Sequence, residues 1–235
     1  MTVAFSGFGQ KALPFLKALN FHQRREWFVE NRDLFESELR DPFGDLVETL
    51  SERFAVVGLG LRGDRKKSLF RINRDVRFAK DKRPCNRHLS AILSPDGTKM
   101  EQGVLFVYIG LERCFAAVAW WQPGPALLLA MRQAIGTRPG EFRALIKALK
   151  QNRLELDPEG CMKRTPRGFE HVTDIDLVAA IRNRHFVVRH EIDPAGIHSA
   201  ALADELVDFT MRAKPLLDWG RAIEGKVPVN QAPDR

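Results

Sequence analysis

Apolar positions at three- and four-residue steps come first. Trp27, Phe28, Asn31, Leu34, Phe35 and Leu39 fall on one side of a predicted helix. Asp41-Pro42 then predicts a break: Asp41 as N-cap and Pro42 at the first position of a second helix. Phe43, Leu46, Val47 and Leu50 continue the same period. Residues 57–64 read as a Gly-rich loop. The spacing next changes from helical to alternating. Over residues 69–78, Phe70, Ile72, Val76 and Phe78 fall on one face of a predicted strand, and Arg71, Asn73, Asp75 and Arg77 on the other. Arg74 breaks the pattern, because it falls on the apolar face. Residues 80–87 read as a polar turn, residues 86–93 as one or two helical turns, and Pro95-Asp96-Gly97 as a further turn.

Two apolar runs, residues 103–111 and 114–121, predict buried strands joined tightly through Glu112-Arg113 as an antiparallel hairpin. Pro123-Gly124-Pro125 opens a helix to about Ile135, and Pro139 opens the next, with Phe142, Leu145, Ile146 and Leu149 as its core stripe. Residues 154–156 predict a short strand. Thr173, with Asp176 three residues on, predicts the N-cap of a helix to Ile181. Residues 185–192 read as a strand. A long helix follows from about Ser199 to Ile223, kinked or restarted at Pro215. Helices come first, then strands, then helices again in the middle and at the end. That grouping predicts an α+β fold: a single domain over residues 1–225, with a mostly antiparallel sheet packed by N-terminal, middle and C-terminal helices. Residues 226–235 have little to bury and are expected to form a flexible tail.

Composition narrows the class. A hydrophobic share of 44% and a charged share of 29% in 235 residues describe an ordinary soluble globular protein. The apolar runs are too short to span a bilayer, so no membrane association is expected. Three well-separated cysteines, Cys85, Cys114 and Cys161, read as reduced thiols and, without an N-terminal apolar signal, point to the cytoplasm. None of the six histidines stands in a metal-binding spacing. No metal and no cofactor are therefore expected. The glycines at 58, 60 and 63 lack the Lys-Ser/Thr of a phosphate-binding loop. No Gly-x-Ser-x-Gly elbow is present, and no reaction class is assigned.

Charge changes the picture more. The net charge is +7, yet residues 62–87 alone hold eleven Lys and Arg against three Asp, a surplus of eight. The remainder is close to neutral. A focused positive field favours an anionic partner. Arg71 and Arg77, flanking Asn73 and Asp75 on one strand face, would present guanidinium forks to a phosphate or carboxylate, with Asp75 holding one arginine in place. The competing reading is a ladder of Arg–Asp pairs along a sheet edge. Lys80 and Lys82 extend the cationic set, and Lys163, Arg164 and Arg167 form a second basic turn that would share the pocket or stand apart as a solvated loop. Arg74, on an apolar face, needs a carboxylate, and Glu26 on the first long helix is the expected partner in a structural ion pair. Cys85, among Lys80, Lys82, Arg83 and Arg87, sits where a thiolate would be favoured.

Several segments resemble one family. Residues 71–84, RINRDVRFAKDKRP, are similar to the signature of the bacterial domain of unknown function 2461. Arg25-Glu26-Trp27-Phe28 followed by Asn31, Lys163-Arg164-Thr165-Pro166-Arg167-Gly168-Phe169 and Pro215-Leu216-Leu217-Asp218-Trp219 resemble its other motifs, so the likeness runs from about Phe8 to Trp219. The resemblance implies no activity. Read together, the residues favour a site for a small phosphorylated or carboxylated ligand. The alternatives are a nucleic-acid-associated protein using the same basic surface, which lacks a recognisable nucleic-acid motif, and a structural adaptor without ligand. No oligomeric state is assigned.

Overall fold

A computed structural model describes residues 4–227. The N-terminal third is helical. Ala12–Phe21 forms α1, Arg25–Glu30 forms α2 and Arg32–Phe35 forms α3. A five-residue π segment, Glu36–Arg40, leads straight into α4, Asp41–Val56. The expected break at Asp41-Pro42 is absent. Asp41 has helical angles (φ −65°, ψ −48°) and its N–H donates to the Glu36 carbonyl, five residues back. Pro42 has no N–H and its ring crowds the carbonyl four residues earlier. Widening the preceding turn from four to five residues relieves that crowding without ending the helix. On α4, Phe43, Leu46, Val47, Leu50 and Phe54 are fully buried, as the periodicity requires.

Four strands follow: β1 (His88–Leu93), β2 (Val104–Gly110), β3 (Cys114–Trp120) and β4 (Phe186–Ile192), in the sheet order β1-β2-β3-β4. β1 pairs antiparallel with β2, from His88 opposite Gly110 to Leu93 opposite Leu105. The β2–β3 hairpin is closed by Gly110 N–H donating to the Arg113 carbonyl (3.2 Å). Every residue of β3 is buried, so this strand is covered on both faces. The helical reading of residues 86–93 is overturned. His88–Leu93 is a strand because its alternating residues meet the long apolar edge of β2, a tertiary pairing that local propensity does not contain.

Pro125–Thr137 (α5) and Pro139–Gln151 (α6) start at their prolines as expected. Residues 154–156 contribute only a single bridge, Leu156 to Val188. α7 spans Ile175–Ile181, and its cap is Asp174, not Thr173: the Asp174 carboxylate accepts from the N–H groups of Asp176 and Leu177. α8, Ala201–Glu224, runs unbroken through Pro215. The expected tail, residues 226–235, lies outside the described residues except for Lys226 and Val227, which form a final turn.

The fold is α+β. The chain divides into two compact units, residues 1–117 with 190–211, and residues 118–189 with 212–235. In the first, Phe8 packs its ring against Phe5 and Phe43 (centroids 5.7 Å each). In the second, Trp120 is fully buried and donates its indole N–H to the Leu216 carbonyl (3.1 Å). Gly220 lies so close to that indole that a Cβ would stand 2.0 Å from Cε2. Trp219 packs edge-on against Phe142 and Phe186. Among the described residues, no helix is long and apolar enough to cross a membrane.

Candidate functional site: an arginine-rimmed recess

The predicted strand over residues 69–78 is not a continuous strand. Only Leu69 and Asn73 make bridges, to Ala91 and Cys85. Around them a broken antiparallel ladder survives: Phe70 N–H to Ser90 (2.9 Å), Ile92 N–H to Ser68 (3.1 Å), Asn86 N–H to Ile72 (2.7 Å) and Arg74 N–H to Pro84 (2.8 Å). Three residues lie between Leu69 and Asn73, whereas five lie between Cys85 and Ala91. The two extra residues interrupt the pairing, and the Asn86 amide crosses the gap to the Arg71 carbonyl (3.0 Å). The expected apolar face is consequently lost. Ile72 is buried, but Phe70 is exposed and Phe78 is 96% exposed.

Beyond Arg74 the chain forms a loop held by its own charges. Asp75 accepts from the backbone N–H (3.2 Å), Nε (3.0 Å) and a terminal nitrogen (2.7 Å) of Arg77. Asp81 repeats the arrangement on Arg83, at 3.1, 2.9 and 2.7 Å. These contacts hold both carboxyls below the usual carboxylate range. Lys82 donates to the carbonyls of Val76 (3.1 Å) and Arg77 (3.3 Å). The Arg74–Glu26 pair is overturned. Arg74 is half-buried and bonds Asp81 (2.8 Å) and the Arg83 carbonyl (3.2 Å), while Glu26 is exposed on α2. With no continuous strand to aim it inward, Arg74 finds the nearest acid in its own loop.

The stems of this loop form one wall of a recess of about 580 Å³ within the first unit. α2, α3 and the π segment supply the opposite wall. Phe28, Phe35, Ile72, Leu89 and Cys85 give it an apolar lining. Seven cations line it as well, and most are already compensated. Arg40 bonds both oxygens of Glu36 (2.9 Å each), which Arg32 also approaches (3.5 Å). Arg65 is shared between Asp45 (2.7 Å) and Glu48 (2.8 Å). Its hydrogen bonds lower the Glu48 carboxyl and raise the guanidinium. Three lining cations, Arg25, Lys66 and Arg71, have no carboxylate partner among the described residues.

A shallower concavity of about 600 Å³ adjoins the same segment, and Phe70, Arg71, Asn73 and Arg74 line both. It adds Asp75, Asn86 and Lys99. Lys99 lies over the Phe70 ring (5.3 Å) and donates to the carbonyls of Lys67 and Leu69. Burial first, then repulsion from Arg71, pulls its ammonium below the usual lysine range.

Of the residues singled out in the sequence, Arg71 and Asn73 line the recess, and Asp75 lines the shallower concavity. Arg77, Lys80 and Lys82 belong to the self-clamped loop and line neither. Lys163, Arg164 and Arg167 are exposed on an irregular turn in the second unit; the lining of the recess comes wholly from the first. The thiolate expectation for Cys85 is overturned. Its side chain is 3% exposed, and burial pushes the thiol up. His88, three residues on, is stacked on Tyr108 (4.4 Å), and burial lowers it. His185 is buried under Trp121 (4.2 Å). Among the described residues no group of three or more His, Cys, Asp or Glu is arranged to hold a metal ion.

Arg25, Arg32 and Arg40 escaped the sequence reading. Their signal is present nonetheless: residues 25, 29, 32, 36 and 40 recur at helical spacing, beside the apolar stripe of Phe28 and Phe35. No curated protein and no solved structure matches the chain. A family model described as "Conserved hypothetical protein (DUF2461)" matches residues 11–219, nearly the whole sequence, and the chain belongs to that family.

Proposed function

We propose that the first unit binds a small organic anion, carrying a phosphate or carboxylate, in the recess between α2–α3 and the 69–74 segment. The observation that carries this reading is the group of three cations, Arg25, Lys66 and Arg71, that line a 580 Å³ recess and have no carboxylate partner among the described residues. The volume falls within the range of small-molecule sites. A guanidinium that has not spent its donors on a carboxylate of its own is free to fork onto a ligand's oxygens. Arg77 and Arg83, by contrast, would have to give up their aspartates first. Asn73, exposed at the same lining, adds an amide for orientation. The concave shape and aromatic lining favour a small ligand over an extended nucleic-acid strand.

Titration of the protein with inorganic phosphate, followed by amide and arginine side-chain NMR shifts, tests the reading. Saturable shifts are expected at Arg71 and Asn73, weakened at least tenfold, or about 1.4 kcal/mol, by Arg71→Met. Arg71 is exposed, so the substitution should leave the thermal midpoint unchanged. Shifts that do not saturate, or that survive Arg71→Met, would remove the anion site from this recess.

A further inference from the structure

Beside its cations the recess carries apolar surface that the fold leaves exposed. Val29 is 62% exposed and Phe70 is 43% exposed, and both line the recess. Phe28 is half-buried and stands with its ring 5.3 Å from that of Phe35. A bare phosphate would use the cations and leave this surface in water. Each Å² of apolar area removed from water contributes roughly 25 cal/mol, so a ligand that covers it gains what a bare anion cannot.

We infer that the ligand is an aromatic anion: a planar ring system seated against Phe28, Val29 and Phe70, with its phosphate or carboxylate at Arg71. This deepens the anion-binding reading and rests on it. The aromatic class follows from the walls. Phe28, Phe35 and Phe70 offer rings from both sides of the recess, and rings gain from edge and offset-stacked contacts beyond their buried area. Arg25 and Arg71 add planar guanidinium faces able to lie on a ring. The dimensions agree, since 580 Å³ is several times the volume of a phosphate and suits a ligand of two or three fused or linked rings.

Four probes separate the components: inorganic phosphate, 1-naphthyl phosphate, 1-naphthol and octyl phosphate, each titrated calorimetrically against the full chain, Arg71→Met and Val29→Asn. Val29 is exposed on α2, so its substitution perturbs the wall and not the core. Naphthyl phosphate is expected to bind at least tenfold more tightly than inorganic phosphate and than octyl phosphate, with naphthol weakest. Arg71→Met should weaken both phosphate and naphthyl phosphate. Val29→Asn should weaken naphthyl phosphate several-fold and leave inorganic phosphate unchanged; a merely structural role for Val29 would not produce that split. Equal affinity for phosphate and naphthyl phosphate would overturn the aromatic body while sparing the anion site. Tighter binding of octyl phosphate would replace the aromatic class with an acyl one. Failure of all three anions would overturn this inference and the anion site together.

Discussion

Cys85 illustrates how neighbours in sequence and neighbours in space give opposite chemistry. Four cations within five residues would stabilise a thiolate if they faced it. None of them touches the sulfur. Arg83 is turned onto Asp81, Lys82 onto backbone carbonyls and Arg87 onto the Asn20 amide (3.2 Å). The sulfur instead lies 4.0 Å from the Asn73 amide oxygen, in a buried place where desolvation penalises the charged form. Cys114 is likewise buried, and desolvation raises its thiol too. Cys161 is exposed. At pH 8 a thiol reagent such as Ellman's should therefore meet one fast group and two slow ones. Cys161→Ser should abolish the fast phase, and denaturant should bring the remaining two thiols into reach. A fast phase that survives Cys161→Ser and disappears in Cys85→Ser would restore an activated Cys85. Arg74 follows the same logic. Paired with Asp81 at 2.8 Å but still 26% exposed, it is nearer to a surface pair than to a buried one, so Arg74→Ala should lower the thermal midpoint only slightly.

At the scale of elements, the loop from Arg74 to Pro84 is shaped by Asp-x-Arg repeated twice, and the two copies are not equivalent. Asp75 holds Arg77 alone. Asp81 holds Arg83 and, across the loop, Arg74, so it ties the tip to the stem that lines the recess. Asp81→Ala should therefore speed amide exchange at Arg74 and Asn86, where the broken ladder closes, and lower the thermal midpoint. Asp75→Ala should disturb the Arg77 amide and little else. Equal effects from both substitutions would mean that the Arg74–Asp81 contact does not order the loop. These clamps also explain what the sequence concealed. An acid and an arginine two residues apart fit a strand face and fit an Asx-type turn equally well, so alternation alone could not separate them. Where a pattern had one physical solution, it was legible: the β2–β3 hairpin, the proline starts of α5 and α6, and the buried stripe of α4 all match. Where the answer depended on a partner elsewhere, it was not. β1 needed β2, the joint at Pro42 needed a π turn, and the cap of α7 fell one residue later than the pattern suggested. For the site, Arg71 and Asn73 were legible from charge on the central segment. The α2–α3 wall was harder to read, because its arginines are scattered in sequence and only their helical spacing beside Phe28 and Phe35 joins them.

At the scale of the whole molecule, the charge surplus of residues 62–87 falls within the first unit, and its acids decide how much of it reaches a ligand. Self-pairing ties Arg65, Arg74, Arg77 and Arg83 to carboxylates, and of the cations that line the recess it leaves Arg25, Lys66 and Arg71 without a carboxylate partner among the described residues. The two units raise a question of cooperativity. Their boundaries, after residues 117, 189 and 211, fall inside β3, β4 and α8 and not in linkers. Independent domains are normally joined by exposed connections that few contacts cross. Here a cut would divide two strands and a 24-residue helix, and each half would lose hydrogen bonds made along its own element. A single unfolding transition is therefore expected. The tryptophans make the test direct: Trp120, Trp121 and Trp219 belong to the second unit and only Trp27 to the first, so indole fluorescence follows mainly the second, while far-ultraviolet circular dichroism follows both. In urea the two curves should coincide, with the same midpoint and slope. A fluorescence transition displaced from the dichroism transition would mean that the units unfold separately, and the expectation of one cooperative domain would be lost.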